Sequence, residues 1–283
     1  MNRTSITGRT RVAAVIGHPI EHSLSPTIHN AGFESLDVDW AYVALDVDVD
    51  GLASVLQLCR GGALAGLSVT MPLKTATFEA LDSVSPSAEM LRSVNTVSCD
   101  DEGRLQGHST DGDGLVDSLI DEGVVLSGRS VLVLGWGGAA RSVVDALRRH
   151  DVERVGVANR SGVPEEELKR IAGPSRSIEW TARHVAVSEH DVVINCTSLG
   201  MGADGTSPID PDAIPGDVVV VDLVYHPLET PLMRAASANG CQVVGGLGML
   251  VHQAARQQEI WLGTRPDTSV MRVAALRALA ERR

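Results

Sequence analysis

Three observations predict an α/β protein with parallel strands. Short apolar runs rich in Val, Ile and Leu alternate along the whole chain with stretches at helical spacing. One run, Val131-Leu132-Val133-Leu134, leads straight into a glycine turn, Gly135-x-Gly137-x-x-Ala140, and then into a helical pattern with Val143, Val144, Ala146 and Leu147 on one side. A run that short and that apolar marks a strand covered on both faces. The hydrophobic content is 43% but aromatics are only 3%, so the core has to be built from Val, Leu, Ile and Ala. A length of 283 residues allows one large domain or two ordinary ones.

The elements follow in order. Arg11–Gly17 reads as the first strand. A helix begins near Ser25 and Pro26, with Ser25 as N-cap and Pro26 at the first helical position, and carries Ile28, Ala31 and Leu36. Trp40–Asp46 is the second strand, 49–59 a helix and 63–69 the third strand. Pro72 fixes a turn beyond it, leaving Thr70 and Lys74 at the C-terminal edge, where open parallel sheets form their ligand crevices. A strand over 92–98 carries Asn95 and Thr96 and pairs with 103–108 through a turn at Asp100 and Gly103. Ser109-Thr110-Asp111 precedes a helix over 115–122, which Asp111 or Asp113 is placed to cap. Further strands fall at 152–158, 191–195, 218–223 and 241–244. Two C-terminal helices close the chain, one opening after Gly245 and one over 270–280. In the first of these Gln253 falls outside the apolar stripe of Leu247, Leu250, Val251, Ala254 and Trp261.

The glycine turn carries the clearest chemistry. Gly135 permits the tight turn, Gly137 lets a pyrophosphate approach the backbone, and Ala140 lets the helix pack close to the strand. The N–H groups of Gly138 and Ala139 then face the phosphates. This reads as the fingerprint of a Rossmann-type dinucleotide-binding unit, the alternative being a plain glycine turn between a strand and a helix of another α/β protein. Past the next strand stands Asn159-Arg160-Ser161 in place of the acid that would bind a free ribose 2′-hydroxyl. An amide, a guanidinium and a hydroxyl suit a 2′-phosphate, so the cofactor is expected to be NADP. The loop holding Thr197 and Ser198 follows a strand on the expected nicotinamide side. Ser23 and Ser25 read either as capping residues or as hydroxyls for a carboxylate.

A net charge of −12 without a basic stripe argues against nucleic acid. No apolar run is long enough for a membrane span, and the first residues lack the apolar core of a signal peptide. A cytoplasmic protein is expected. Cys59, Cys99, Cys196 and Cys241 show no metal-ligand spacing; they read as free thiols, and no metal is expected.

Taken together, the motifs resemble the shikimate dehydrogenase family, which reduces 3-dehydroshikimate with NADPH. The resemblance runs from about Val15 to Trp261 and keeps the family's order. It rests on His22-Ser23-Leu24-Ser25-Pro26 with His29-Asn30; Ser68-Val69-Thr70-Met71-Pro72-Leu73-Lys74; Asn95-Thr96; Ser109-Thr110-Asp111; the glycine turn; Asn159-Arg160-Ser161; and Tyr225 with Gly246-Leu247-Gly248-Met249-Leu250-Val251-His252-Gln253. It implies two α/β domains with a cleft between them: a discontinuous substrate domain, 1–112 plus 247–283, and a Rossmann domain, 113–246.

The resemblance also assigns roles. Lys74 and Asp111 form the catalytic pair, with the acid–base group open between them. Ser23, Ser25 and Tyr225 bind the substrate carboxylate. Thr70, Asn95 and Gln253 bind ring hydroxyls, with Ser68 alongside. Gly246 and Met249 join the cofactor site. The partner is a small-molecule substrate, and the protein a monomer or homodimer.

There are departures. The family often has Asn at the positions of Ser68 and Ser109, and a second arginine past Arg160, where this chain is acidic. Arg160 alone is worth about 1.5–3 kcal/mol, roughly 10- to 100-fold in preference. NADP preference with measurable NAD activity is therefore expected. A quinate/shikimate dehydrogenase using NAD or NADP is the nearest alternative. A non-catalytic ligand sensor is disfavoured because Lys74 and Asp111 are both present, and a folate dehydrogenase because the Ser-Leu-Ser-Pro segment and the C-terminal helix motif do not fit one.

Overall fold

β1 (Arg11–Gly17), α1 (Ser25–Ser35), β2 (Trp40–Asp46), α2 (Leu52–Arg60) and β3 (Gly66–Val69) alternate as expected in the computed structural model, which describes residues 6–173 and 175–281. The expectation that the chain opens without an apolar leader falls partly on 1–5, outside the described residues. After β3 come α3 (Lys74–Ala80), β4 (Ser83–Val84), α4 (Pro86–Leu91), β5 (Thr96–Cys99) and β6 (Leu105–His108). These strands form one sheet in the order β2-β1-β3-β5-β6-β4, parallel except for β5, which runs antiparallel to β3 and β6.

The two faces of this sheet differ. Leu67 and Val69 point toward Leu52, Val55 and Leu56 of α2 in an aliphatic core. Because strand side chains alternate, Ala13, Val15 and Ser68 point the other way. That side holds Phe33 and Tyr42, with Trp40 and Trp261 packed against them. Half of the chain's Phe, Tyr and Trp residues gather there, so the expectation of an all-aliphatic core fails on this face.

The second sheet follows α5 (Asp111–Asp121). Its elements are β7 (Ser130–Leu134), α6 (Gly138–Arg148), β8 (Arg154–Ala158), α7 (Glu165–Ala172), β9 (Ser175–Ile178), α8 (Arg183–Ala186), β10 (Val192–Asn195), β11 (Val219–Asp222), α9 (Pro231–Ala238) and β12 (Val243–Gly245). All strands are parallel, in the order β12-β11-β10-β7-β8-β9. Every residue of β7 is buried, as its sequence predicts. From β7 the chain first builds outward through β8 and β9, then returns to β10 on the other side. The switch point therefore lies between β7 and β10, beside the glycine turn. Close helix packing supports this edge. A Cβ on Gly112 of α5 would stand 2.0 Å from the carbonyl oxygen of Ser142 in α6, so only glycine fits there.

α10 (Leu247–Leu262) and α11 (Thr268–Glu281) complete the chain. Two compact units result: one joins the chain up to Thr110 with Val251 onward, and the other is Asp111–Leu250. In the first unit α11 packs on α1. No described helix is long and apolar enough to cross a membrane.

Several boundaries move. α1 takes Leu24 as its cap residue with no side-chain cap, and Ser25 lies inside the helix. A residue that has adopted helical backbone angles cannot fold its side chain over the end, so the expected Ser25 cap is absent. α5 begins at Asp111 itself, which puts Asp113 in the first turn rather than at a cap. α3, α4, β4, α7, β9, α8 and α9 were not anticipated from the sequence.

Candidate functional site

In the first unit, the segment after β3 is pinned by its backbone. Thr70 N–H donates to Ile16 O at 2.9 Å, Leu73 N–H to Thr70 O at 2.9 Å, and Val94 N–H to Lys74 O at 3.1 Å. Lys74 thus opens α3 at a fixed backbone position with its side chain partly exposed. Ahead of α1, the Ser23 hydroxyl accepts the N–H of Ser25 at 3.2 Å. The Ser25 hydroxyl has no partner among the described residues.

Asn95 is a buried hub between strands. Its N–H donates to His108 O at 3.0 Å and its carbonyl accepts Val69 N–H at 2.8 Å. Its side-chain amide donates to Thr110 Oγ1 at 2.9 Å, and its side-chain oxygen accepts Thr110 N–H and Thr96 Oγ1, both at 2.9 Å. Thr110 Oγ1 also reaches Gln253 O at 3.4 Å. One amide therefore fixes the end of the unit and ties it to α10.

Ser68 is also bonded within the unit. Its hydroxyl accepts from Tyr42 Oη and donates to Gln257 Oε1, each at 2.5 Å, and the residue is only 6% exposed. Gln257 Nε2 continues to Asn95 O at 3.3 Å. The Ser68 side chain is turned inward by strand alternation and bonded within the unit, where it links β2, β3 and α10. Next to it, His29 stacks on Tyr42 with ring centroids 4.0 Å apart, and Gln258 Nε2 donates to His29 O at 2.8 Å. Burial drives the His29 imidazole down to about 3. It is neutral at physiological pH. Tyr42, Gln257 and Gln258 were not singled out from the sequence, and His29 only as part of the motif with Asn30; two adjacent glutamines on a helix with an apolar stripe were the available signal.

In the second unit, Gly135 has φ +103°, a backbone region that favours glycine, and an added Cβ would meet the Cys196 carbonyl at 3.2 Å. Gly137 caps α6 and Gly138 opens it, followed by Ala139; no side chain caps the helix, and nothing lies within 4 Å of a Cβ built on either glycine. This helix start therefore has no capping side chain, and nothing crowds the Cβ positions of its two glycines. A phosphate fits such a place.

Beyond β8, the Asn159 amide donates to Ser161 Oγ at 3.0 Å and Gly162 O at 2.7 Å, folding the loop on itself. Arg160 is exposed and makes no hydrogen bond or ion pair among the described residues. Of the expected trio, Asn159 shapes the loop and Arg160 is the free cation.

Two buried groups at strand ends arrange the remaining loops. Asn195, the last residue of β10, accepts from Thr197 N–H at 3.0 Å and Thr197 Oγ1 at 2.7 Å, and Leu199 N–H donates to Thr197 Oγ1 at 3.2 Å. Thr197 is thereby a loop-former, with Ser198 held beside it. Asp222, the last residue of β11, accepts from Asn195 Nδ2 at 2.9 Å, Thr230 Oγ1 at 2.6 Å and Val224 N–H at 3.1 Å. Burial raises its carboxyl above the ordinary range despite these donors. These bonds frame the loop bearing Tyr225. Sequence reasoning passed over Asp222, although an acid ending Val-Val-Val-Val is a visible signal. Gly246 has a packing reason of its own: a Cβ there would stand 2.1 Å from Leu223 O. Met249 lies half-buried on α10. Asp111 opens α5, while Asp113 pairs with Arg149 at 2.7 Å.

A parallel sheet with a glycine turn at its switch point defines Asp111–Leu250 as a dinucleotide-binding unit of the Rossmann class. Comparison with known proteins goes further. The model described as shikimate dehydrogenase substrate binding domain matches 15–97, that of shikimate / quinate 5-dehydrogenase matches 118–201, and that of the shikimate 5'-dehydrogenase C-terminal domain matches 246–276. A shikimate dehydrogenase (NADP(+)) of Geobacter sp. (strain M21) is 42% identical over 98% of both chains. The solved structure of shikimate 5-dehydrogenase from Thermus thermophilus with NADP(H) and shikimate is 39% identical, covers 95% of this chain and 99% of its own, and superposes with a TM-score of 0.86. That from Listeria monocytogenes with shikimate and NAD is 33% identical, covers 95% and 97%, and gives 0.89. The chain belongs to the shikimate dehydrogenase family.

Proposed function

We propose that this chain is an NADP-dependent shikimate dehydrogenase, catalysing the reversible reduction of 3-dehydroshikimate to shikimate in aromatic amino acid biosynthesis. The observation that carries the reading is the pairing of two features in one family member. One is a lysine opening a helix just past a strand edge. The other is an uncapped, unobstructed glycine turn followed by a free arginine.

Gly135, Gly137, Gly138 and Ala139 would hold the pyrophosphate. Asn159, Arg160 and Ser161 would form the 2′-phosphate corner. Thr197, Ser198, Gly246 and Met249 would lie on the nicotinamide side. Bound there, the cofactor supplies the hydride. The chain's own residues do the rest. Ser23, Ser25 and Tyr225 hold the substrate carboxylate through hydroxyls, and Thr70, Asn95 and Gln253 hold the ring hydroxyls. Reduction builds negative charge on the reacting oxygen. The Lys74 ammonium stabilises that charge and, with Asp111 orienting it, serves the proton transfer. We place the active species in the cytoplasm as a monomer or homodimer, which light scattering tells apart.

The test is absorbance of the reduced nicotinamide with shikimate or quinate, each with NADP or NAD. A signal dominated by shikimate with NADP supports the reading. A dominant quinate or NAD signal replaces it with a quinate/shikimate dehydrogenase. No signal in any combination overturns it.

A further inference from the structure

α7 opens with three carboxylates, Glu165, Glu166 and Glu167, favoured there by the helix dipole. They do not behave alike. Glu165 pairs along its own helix with Lys169, at 3.6 Å in open solvent. Glu167 instead turns to the glycine turn. Its carboxylate accepts Trp136 Nε1–H at 2.8 Å and Arg141 Nη1–H at 3.0 Å, with Arg170 Nη2 at 3.8 Å. Trp136 lies inside the Gly135–Gly137 turn, and Arg141 is on the helix which that turn opens. Glu167 is also joined to Arg160 by a short stretch of chain, and β7 and β8 are register partners at Leu134 and Ala158, where both loops begin. One carboxylate thus latches α7, the helix that follows the Arg160 loop, to the turn that would carry the pyrophosphate.

We propose that Glu167 is a specificity-determining residue that holds down the preference for a 2′-phosphorylated dinucleotide. The argument is one of charge. The latch neutralises Arg141, which leaves Arg160 as the unpaired cation of this corner. A 2′-phosphate, which carries nearly two negative charges, meets a fixed carboxylate as well as Arg160. A dinucleotide lacking that phosphate meets the same carboxylate with less penalty. Trp136 is the geometric half of the device: its N–H holds the carboxylate in place against the glycine turn.

The inference rests on the dinucleotide reading of this unit. Its test is Glu167→Gln, which keeps an acceptor for Trp136 and removes the charge. Dissociation constants for NADPH and NADH are measured by quenching of protein fluorescence. At low ionic strength the ratio of the NADH constant to the NADPH constant is expected to rise about fivefold in the variant, and the rise should shrink in strong salt. Arg141→Gln, which leaves the carboxylate bare, should move the ratio the other way. A ratio unchanged in both variants, or lowered by Glu167→Gln, overturns the proposal while leaving the dinucleotide reading intact. A wild-type chain that binds neither nucleotide overturns both.

Discussion

The two sheets put buried polarity in different places. In the all-parallel sheet, β10 and β11 are Val and Ile up to their last residue. There the polar residue comes at the C-terminal end, as Asn195 closing β10 and Asp222 closing β11. In the mixed sheet, a serine sits within β3 and bonds across the buried face to Tyr42 and Gln257. The first arrangement leaves the interior of these two strands hydrophobic and spends hydrogen bonds on loop shape. The second uses them to lock a helix onto the sheet. The first cluster contains an ionisable carboxyl; the Tyr42–Ser68–Gln257–Asn95 chain consists of amides and hydroxyls that stay neutral in the ordinary pH range. Position along the strand thus separates polarity that shapes a site from polarity that holds a fold.

Lys74→Ala should mark the functional extreme of this contrast. Turnover of shikimate with NADP is expected to fall about a hundred- to ten-thousandfold. The urea midpoint, measured alongside, shows whether the variant stays folded. Near-normal turnover would remove it from the chemistry. Asp222→Ala tests the strand-end cluster. It strips one acceptor from Asn195, Thr230 and Val224, and should cost about 2–4 kcal/mol in urea unfolding of that unit. A loss no larger than that of a surface substitution would sink the idea that Asp222 sets the loops.

The aromatic face of the mixed sheet gives a pH signature instead. His29 is held near 3, below the ordinary histidine value of about 6.5. A buried neutral histidine stabilises fully above the unfolded value and loses that contribution as pH falls toward the folded one. Between pH 6 and 4 the stability should drop by up to about 1.4 kcal/mol per pH unit from this residue. In His29→Phe that slope should be missing, so the stability gap between wild type and variant closes as pH falls. A parallel pair of curves would refute it. The smallest effect is expected from Ser68→Ala: about 1 kcal/mol of stability from the broken link, with KM for shikimate within about twofold of wild type. A tenfold rise in KM would return Ser68 to the ligand.

The same contrast explains what could be read from the sequence. β7, β8, β10 and β11 were legible because a strand covered on both faces has to be apolar throughout. α7 and β9 were not, since Glu-Glu-Glu-Leu-Lys-Arg-Ile-Ala buries only Leu168, Ile171 and Ala172, and Ser175–Ile178 is a polar edge strand. α9 had a usable mark, Thr230 before Pro231, and the structure shows Thr230 capping Met233 N–H at 3.2 Å. At the candidate site, the glycine turn and the position of Lys74 after β3 were local and therefore visible. The inward turn of Ser68 was not. It depends on Gln257, a partner near the other end of the chain, and no local pattern encodes a contact of that range.

The joining of Val251 onward to the unit that ends at Thr110 has a meaning in time. A ribosome delivers Asp111–Leu250 whole while the first unit still lacks Gln253, Gln257, Gln258 and Trp261. During synthesis Ser68 and Tyr42 then wait without their partner on α10, and the aromatic face is uncovered where Trp261 will pack. The order of manufacture and the order of completion are reversed: the half of the chain made first is finished last, and its closing residues arrive on the final helices.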